Sequence, residues 1–319
     1  DTRYVWRNYE QAHQGKKLFG LFSLVKAFPE DTADKKILFT KEHLCTWGIL
    51  IALGMVVLLA EYPGFFVYDA QEELNEVLTR SFTTHHPLLH VLLLGGTIAF
   101  FHKITGSWNF GIFAYIFMQM LVITCIFAYV ITYMQKRGIG KNSKIIWTVY
   151  YGIFPTIAMY TLCSSKDGLF SALLLLMTAL LMQFINNPGA FVAGKNKVIA
   201  FIAVASLMPC FRHNGFYAYL VFIPFILIYF RKKLSKITIS MMVAPVILYL
   251  LLTTVLSTAL ATSTPHHQEM LTVPIMQLAR VYTYDKDSLT EEDIETLKEE
   301  FNAWTTGLDE AQKDVLNLL

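Results

Sequence analysis

The sequence predicts an all-α integral membrane protein, and three observations carry that prediction. Of 319 residues, 55% are apolar and only 16% charged, against roughly 25% charged in average soluble domains. Between Leu44 and Thr258 the charges fall in short clusters. The apolar runs between them are about 17–25 residues long, the length that spans a bilayer core. Helices apolar on every side do not occur in such number in a soluble fold.

The expected spans are Leu44–Ala60, Phe110–Met134, Ile145–Cys163, Gly168–Ile185, Val198–Phe211, Phe216–Phe230 and Ile237–Thr258. Val198–Phe211 and Phe216–Phe230 are short and read as a tight hairpin turning at Arg212-His213-Asn214-Gly215. The run Leu88–Phe101, at about 14 residues, is short for a span and reads as interfacial or re-entrant. Basic residues settle the choice, because Lys and Arg collect on the cytoplasmic side. With an interfacial helix over 88–103, the clusters Lys136, Arg137, Lys141, Lys144 and Arg231, Lys232, Lys233, Lys236 lie inside with Lys195, Lys197 and the N-terminal lysines. A spanning Leu88–Phe101 strands both clusters outside. The expectation is a multi-pass protein of the cell membrane with a cytoplasmic N-terminus. Residues 1–43 form an inner-surface segment, 44–258 a bundle of seven spans and 259–319 a helical extracytoplasmic segment.

Composition excludes other classes. A net charge of +2 and the lack of a basic-aromatic groove speak against nucleic acid. Cys45, Cys125, Cys163 and Cys210 form no CxxC pair and read as small apolar residues. No cleavable signal peptide is visible. The chain begins at Asp1 and ends in a polar helical stretch, which suggests a piece of a longer protein. Leu18-Phe19-Gly20-Leu21-Phe22, beside Lys16, Lys17 and Lys26, suits the inner membrane surface. Near the other end Ser288 and Glu291 make a capping box. Ile294, Leu297, Phe301 and Trp304 share one helical face. Asp285 and Asp287 do not start a calcium loop, since Leu289 takes a ligand position and Thr290 the required glycine.

Chemistry-bearing residues cluster at the outer helix ends. Tyr62-Pro63-Gly64 breaks the first span and Asp69 follows. Asp69 either caps a helix over Ala70–Thr79, with Glu72 and Glu73 in its first turn, or acts as a base at the membrane surface. His85 and His86 precede Pro87, which suits a first helical turn. His86 and His90 share a face at zinc-ligand spacing, but no HExxH accompanies them, and they read rather as polar groups facing a site or lipid headgroups. Lys166-Asp167 interrupts two apolar runs, either as a functional turn or with Asp167 capping the next helix. Arg212 and His213 lie in the apolar hairpin, where an arginine clamps a phosphate bidentately or snorkels without function. Gln277 and Arg280 follow Pro274, one helical turn apart.

The order Tyr62-Pro63-Gly64, Asp69, His85-His86-Pro87-Leu88, Lys166-Asp167, Arg212-His213-Asn214-Gly215 and Pro274 through Arg280 resembles the GT-C superfamily of polytopic glycosyltransferases that use polyprenyl-phosphate sugars. It looks closest to a bacterial branch of the protein mannosyltransferase and aminoarabinose transferase type. The resemblance runs from about Trp47 to Arg280. It implies a GT-C-like bundle with an outer-face cavity where a lipid-linked sugar donor meets a glycan, lipid or protein acceptor among membrane lipids. Asp69 matches the first-loop catalytic acid. Asp167 matches a second acid that orients the acceptor or, with Asp69, holds a divalent metal such as Mg or Mn. His85, His86, Lys166, Arg212, His213, Gln277 and Arg280 then fall to substrate binding. Many members carry paired acids where Tyr68 and Ala70 flank Asp69, and His85-His86-Pro87 replaces a two-proline form. A transporter, with charges near the bilayer midplane, and a lipid flippase or polymer ligase of the cell envelope are the competing expectations.

Overall fold

The computed structural model describes residues 36–231 and 235–263 and, beyond these, only positions scattered between 276 and 295. The N-terminal stretch around Leu18, Lys232 and Lys233, Pro274, Asp285, Asp287, Ser288, Leu289, Leu297, Phe301 and Trp304 lie outside the described residues. The chain divides into two units, Asp1–Ser263 and Thr264–Leu319. In the second, Gln277 and Arg280 are helical and exposed.

The first unit is a helix bundle. Its elements are α1 (Lys41–Ala60), α2 (Tyr68–Thr79), α3 (Leu88–Thr105), α4 (Trp108–Lys136), α5 (Lys141–Ile153), α6 (Pro155–Leu162), α7 (Lys166–Asn186), α8 (Pro188–Ala193), α9 (Lys195–Leu207), α10 (His213–Tyr229) and α11 (Lys236–Ala259). A 3-10 turn, Met208–Cys210, follows α9. Among the described residues the only strand-like pairings are two isolated bridges, Phe65–Cys163 and Thr83–Ser263.

Local chemistry sets the helix starts. Thr40, Ser107, Ser165 and Ser235 each cap a helix by accepting a backbone N–H, from His43, Phe110, Asp167 and Thr238 respectively. The expected single span Ile145–Cys163 is instead broken into α5 and α6, bent by 55°. Pro155 is the cause. It lacks an N–H and pushes Phe154 into an extended conformation at ψ 121.

Among the described residues α1, α3, α4, α7 and α11 are long and apolar enough to cross a membrane, as is α5/α6 if counted as one span. The 18 residues of α3 exceed the expected short run, yet packing shows that α3 adds no crossing. Along α1 and α4, Tyr62 meets Phe113, Gly54 meets Met120, Trp47 donates to the Leu121 carbonyl at 3.2 Å, and His43 bonds the Cys125 carbonyl at 3.3 Å. The two helices therefore run antiparallel. α3 lies on the first third of α4: His90 bonds Tyr115, Phe101 meets Phe110 and His102 stacks on Trp108. A chain that rises through α1 and returns through α4 has no third crossing between them. The 12 residues of α2, about 18 Å, are too short to supply one. The 17 residues of α10 are apolar but shorter than these candidate spans.

Two close approaches set up one end of the bundle. A Cβ on Gly95 would sit 2.6 Å from the Val77 side chain and 3.1 Å from the Glu73 carbonyl, so only glycine lets α2 lie on α3. A Cβ on Gly168 would run into the Tyr160 carbonyl, so glycine also lets the start of α7 turn tightly against α6. The packed interior lies below that end, in Leu50, Ile123, Ile126, Phe127, Leu169 and their neighbours.

Candidate functional site

The end of the bundle where α1 finishes gathers the polar residues. Lys166, the first residue of α7, donates to Asp69 Oδ2 at 2.8 Å. It also reaches His86 Nδ1 at 3.2 Å and lies 3.9 Å from Glu73 Oε1. An ammonium has three hydrogens and no acceptor, so Asp69 Oδ2 and His86 Nδ1 accept from it, and Glu73 adds a longer ion-pair contact. Asp69 does not cap its helix. It sits in the first turn of α2, behind Val67, which makes no side-chain cap. The Lys166 hydrogen bond holds the Asp69 carboxyl below its ordinary range, against a smaller opposing effect of burial.

Asp167 is likewise not a cap, because Ser165 does that work. Its carboxylate pairs with Arg212, the residue ahead of α10. Arg212 was expected to clamp a phosphate; here one of its five N–H groups is committed to Asp167. His213 bonds Tyr249 at 3.1 Å. His85 packs edge-on against His86. The structure therefore brings Asp69, His85, His86, Lys166, Asp167, Arg212 and His213 to one end, as two linked acid–base pairs. Gln277 and Arg280 belong to the second unit.

A cleft of about 180 Å³ adjoins these pairs through His86 and His213. His86, Leu88 and Leu89 form one wall, His213 and Cys210 another, and Thr253, Thr254 and Ser257 of α11 a third. His86 thus joins the cleft to Lys166. Its Nδ1 accepts from the ammonium, so the hydrogen of a neutral ring is on Nε2. Burial, reinforced by the Lys166 charge, pushes its pKa down and favours that neutral form.

Two of the most buried polar residues of this end, Glu73 and His90, were expected only as a first-turn acid and as a histidine at zinc-ligand spacing from His86. Glu73 is 1% exposed and His90 fully buried. His90 Nδ1 bonds Glu73 Oε2, and His90 Nε2 lies 2.8 Å from the Tyr115 hydroxyl. Tyr115 donates to Gln119 Oε1 at 3.0 Å. Gln119 Nε2 donates to the carbonyls of Thr161 and Cys163 at 3.1 and 2.6 Å. This chain ties α2 and α3 to α4 and to the carbonyls at the end of α6. The spacing of Glu73, four residues after Asp69 on one helical face, was the available signal.

The residues do not fit the divalent metal that the resemblance implies. Asp69 and Asp167 are each turned to a different cation, Lys166 and Arg212. Among the described residues no three His, Cys, Asp or Glu side chains are grouped to hold an ion. His86 and His90 do not form a zinc pair either, since His90 is enclosed between Glu73 and Tyr115.

A family profile matches residues 75–308, more than half of the chain. The chain belongs to DUF6020, a family of unknown function. The DUF6020 match takes in His86, Lys166, Asp167 and Arg212; α1, Asp69 and Glu73 precede its first residue. No curated protein and no solved structure matches the chain.

Proposed function

We propose that the chain is a membrane glycosyltransferase that moves a sugar from a polyprenyl-phosphate donor to an acceptor hydroxyl at the outer face, with inversion. The supporting observation is that Asp69–Lys166 and Asp167–Arg212 stand at one end of an apolar bundle, beside a cleft walled by two histidines, four hydroxyl residues and leucines. Such a cleft offers hydrogen bonds to a sugar and an apolar wall to a lipid. The GT-C resemblance adds the reaction type.

In this reading the acceptor oxygen bonds to the anomeric carbon while the bond from that carbon to the phosphate oxygen breaks. The electron pair leaves with polyprenyl phosphate, and the hydroxyl proton passes to Asp69. Lys166 keeps Asp69 ionised and placed for that transfer. Arg212, with N–H groups beyond the one on Asp167, and His86 Nε2–H stabilise the leaving phosphate. Metal takes no part in this scheme.

The test is release of polyprenyl phosphate from a panel of polyprenyl-phosphate sugars by the full chain in nanodiscs. Release by the wild type that Asp69→Asn abolishes supports the reading. Binding of the lipids with no release from any donor sinks it and favours a second reading, a flippase for the same lipids. The buried Glu73–His90–Tyr115 chain is the observation that favours it, since proton-coupled carriers use such groups.

A further inference from the structure

The hydrogen-bond inventory around His90 forces an assignment of protons. Carbonyls only accept, so the Gln119 group facing Thr161 and Cys163 is its NH2, and its oxygen faces Tyr115. That oxygen also only accepts, so the single Tyr115 hydrogen goes to it. The Tyr115 oxygen is then left as an acceptor toward His90, and His90 Nε2 must carry a hydrogen. A neutral imidazole has just one. Its Nδ1 would then be bare, yet it faces a carboxyl oxygen of Glu73. Two acceptors in a dry interior repel, and an unmet buried polar group costs about 1–3 kcal/mol. One further hydrogen must lie between Glu73 and His90, whichever of the two formally owns it.

We propose that Glu73 is a positioning residue: tied to His90 through this shared proton, it directs its other oxygen at Lys166 and His86 and so holds Lys166 against His86, which lines the cleft. Glu73 Oε1 is 3.9 Å from Lys166 Nζ and 3.8 Å from His86 Nδ1. Glu73 itself lines no part of the cleft. Its anchor reaches through Tyr115 and Gln119 to the carbonyls of Thr161 and Cys163, a few residues before Lys166. The same chain therefore sets the carboxyl and the start of the helix that carries the ammonium. The consequence is a single tautomer of His86, hydrogen on Nε2, presented to the cleft. This inference rests on the reading of the cleft as a ligand site.

The groups that act on His86 come from every side: Lys166 on α7, Asp69 and Glu73 on α2, His85 beside it in the chain, and His213 across the cleft. A test must therefore follow the proton positions themselves. The full chain, with 15N-labelled histidine, is placed in nanodiscs at pH 7, and resonances are assigned by single histidine replacements. In the wild type, His90 is expected to carry hydrogen at Nε2 and to hold a bonded or shared hydrogen at Nδ1, while His86 carries hydrogen at Nε2 alone. In Glu73→Gln, a replacement of equal size, His90 loses that shared hydrogen at Nδ1 and His86 becomes a mixture of tautomers. A wild-type His90 whose Nδ1 has the 15N shift of a bare nitrogen, with hydrogen neither attached nor donated to it, overturns the shared proton. An unchanged His86 tautomer in a folded Glu73→Gln overturns the positioning role. Should that variant not fold, Tyr115→Phe releases the same anchor, and an unchanged His86 there overturns the role equally. Neither arm needs sugar transfer, so an inactive wild type would defeat the proposed function and leave this inference standing.

Discussion

Lys166 Nζ stands 2.8 Å from Asp69 Oδ2 although 97 residues separate them in sequence. The bond ties the first turn of α2 to the first turn of α7, and it sets Asp69 beside the residue that precedes Asp167. If Asp69 accepts the acceptor's proton, Asp69→Asn removes a group that acts in the transition state. Turnover should fall by about 10²–10⁴-fold while donor binding stays close to wild type. Near-normal turnover in the purified variant would return Asp69 to a purely structural ion pair.

The Asp69 and His86 shifts share a sign. Both pKa values lie below their ordinary ones, Asp69 through the Lys166 hydrogen bond and His86 through burial. The contribution of each to stability is complete above its unfolded value and is lost as pH falls through the lowered, folded value. His86 comes first on acidification, starting near its ordinary value of 6.5. Asp69, ordinarily at 3.8, follows well below it. Thermal unfolding in detergent should therefore weaken below about pH 6.5 in the wild type and show a flatter profile in His86→Gln. Equal slopes for the two proteins would show that His86 protonates without cost.

Sequence reading reached an all-α membrane bundle because apolar run length is a local signal. It placed Leu88–Phe101 at the interface from run length and charge, and the antiparallel pairing of α1 with α4 agrees with it. Of the candidate residues it named, those of the first unit lie at one end of the bundle. It missed the break at Pro155, since a proline in an apolar run reads equally as a tolerated kink. It missed the partners as well. That Asp69 takes Lys166 and Asp167 takes Arg212, rather than both taking one metal, depends on which helix faces which. Glu73 was hidden by its company: among Glu72, Asn75 and Glu76 it looks like one more acid on a solvated helix. Only the glycine contact at Gly95, which sinks α2 onto α3, explains its burial.

Gln119 carries a stability prediction. Its amide meets two carbonyls at the end of α6 and the Tyr115 hydroxyl. Gln119→Leu keeps the volume and strands all three. Each unmet buried group costs about 1–3 kcal/mol, so the melting temperature should drop by many degrees. Tyr115→Phe, which removes one hydroxyl, should cost less. A Gln119→Leu protein as stable as Tyr115→Phe would show that water reaches those carbonyls.

Arg212 tests the phosphate assignment. Its pairing with Asp167 leaves other guanidinium N–H groups for a ligand, and both side chains are partly exposed. Arg212→Lys keeps the charge and the ion pair but loses the planar fork. Donor-lipid affinity in nanodiscs should weaken by about tenfold, roughly 1.4 kcal/mol. Arg280→Lys, in the second unit, is the matching variant. If only Arg212→Lys weakens binding, Arg280 serves its own helix. Wild-type affinity in both would move the phosphate to Lys166 or His213.

Sidedness is decided by labelling. α5/α6 lies between Asn142 and Ser165 and places them at opposite ends of the bundle. The packing of α3 on the first third of α4 places Lys103, near the end of α3, with Ser165. The basic cluster around Asn142 predicts that its end is cytoplasmic. Single cysteines at these three positions, in a chain whose native Cys45, Cys125, Cys163 and Cys210 are replaced, should react with an impermeant reagent on intact cells at Lys103 and Ser165 but not at Asn142. Ser165 is half-buried, so its labelling should be slower than that of the exposed Lys103. Labelling at Asn142 with none at Ser165 would invert the bundle and move the cleft to the inner face. Labelling at Ser165 and protection at Lys103 would mean that α3 crosses, which the antiparallel packing of α1 on α4 forbids. The three positions together separate an error of orientation from an error of topology.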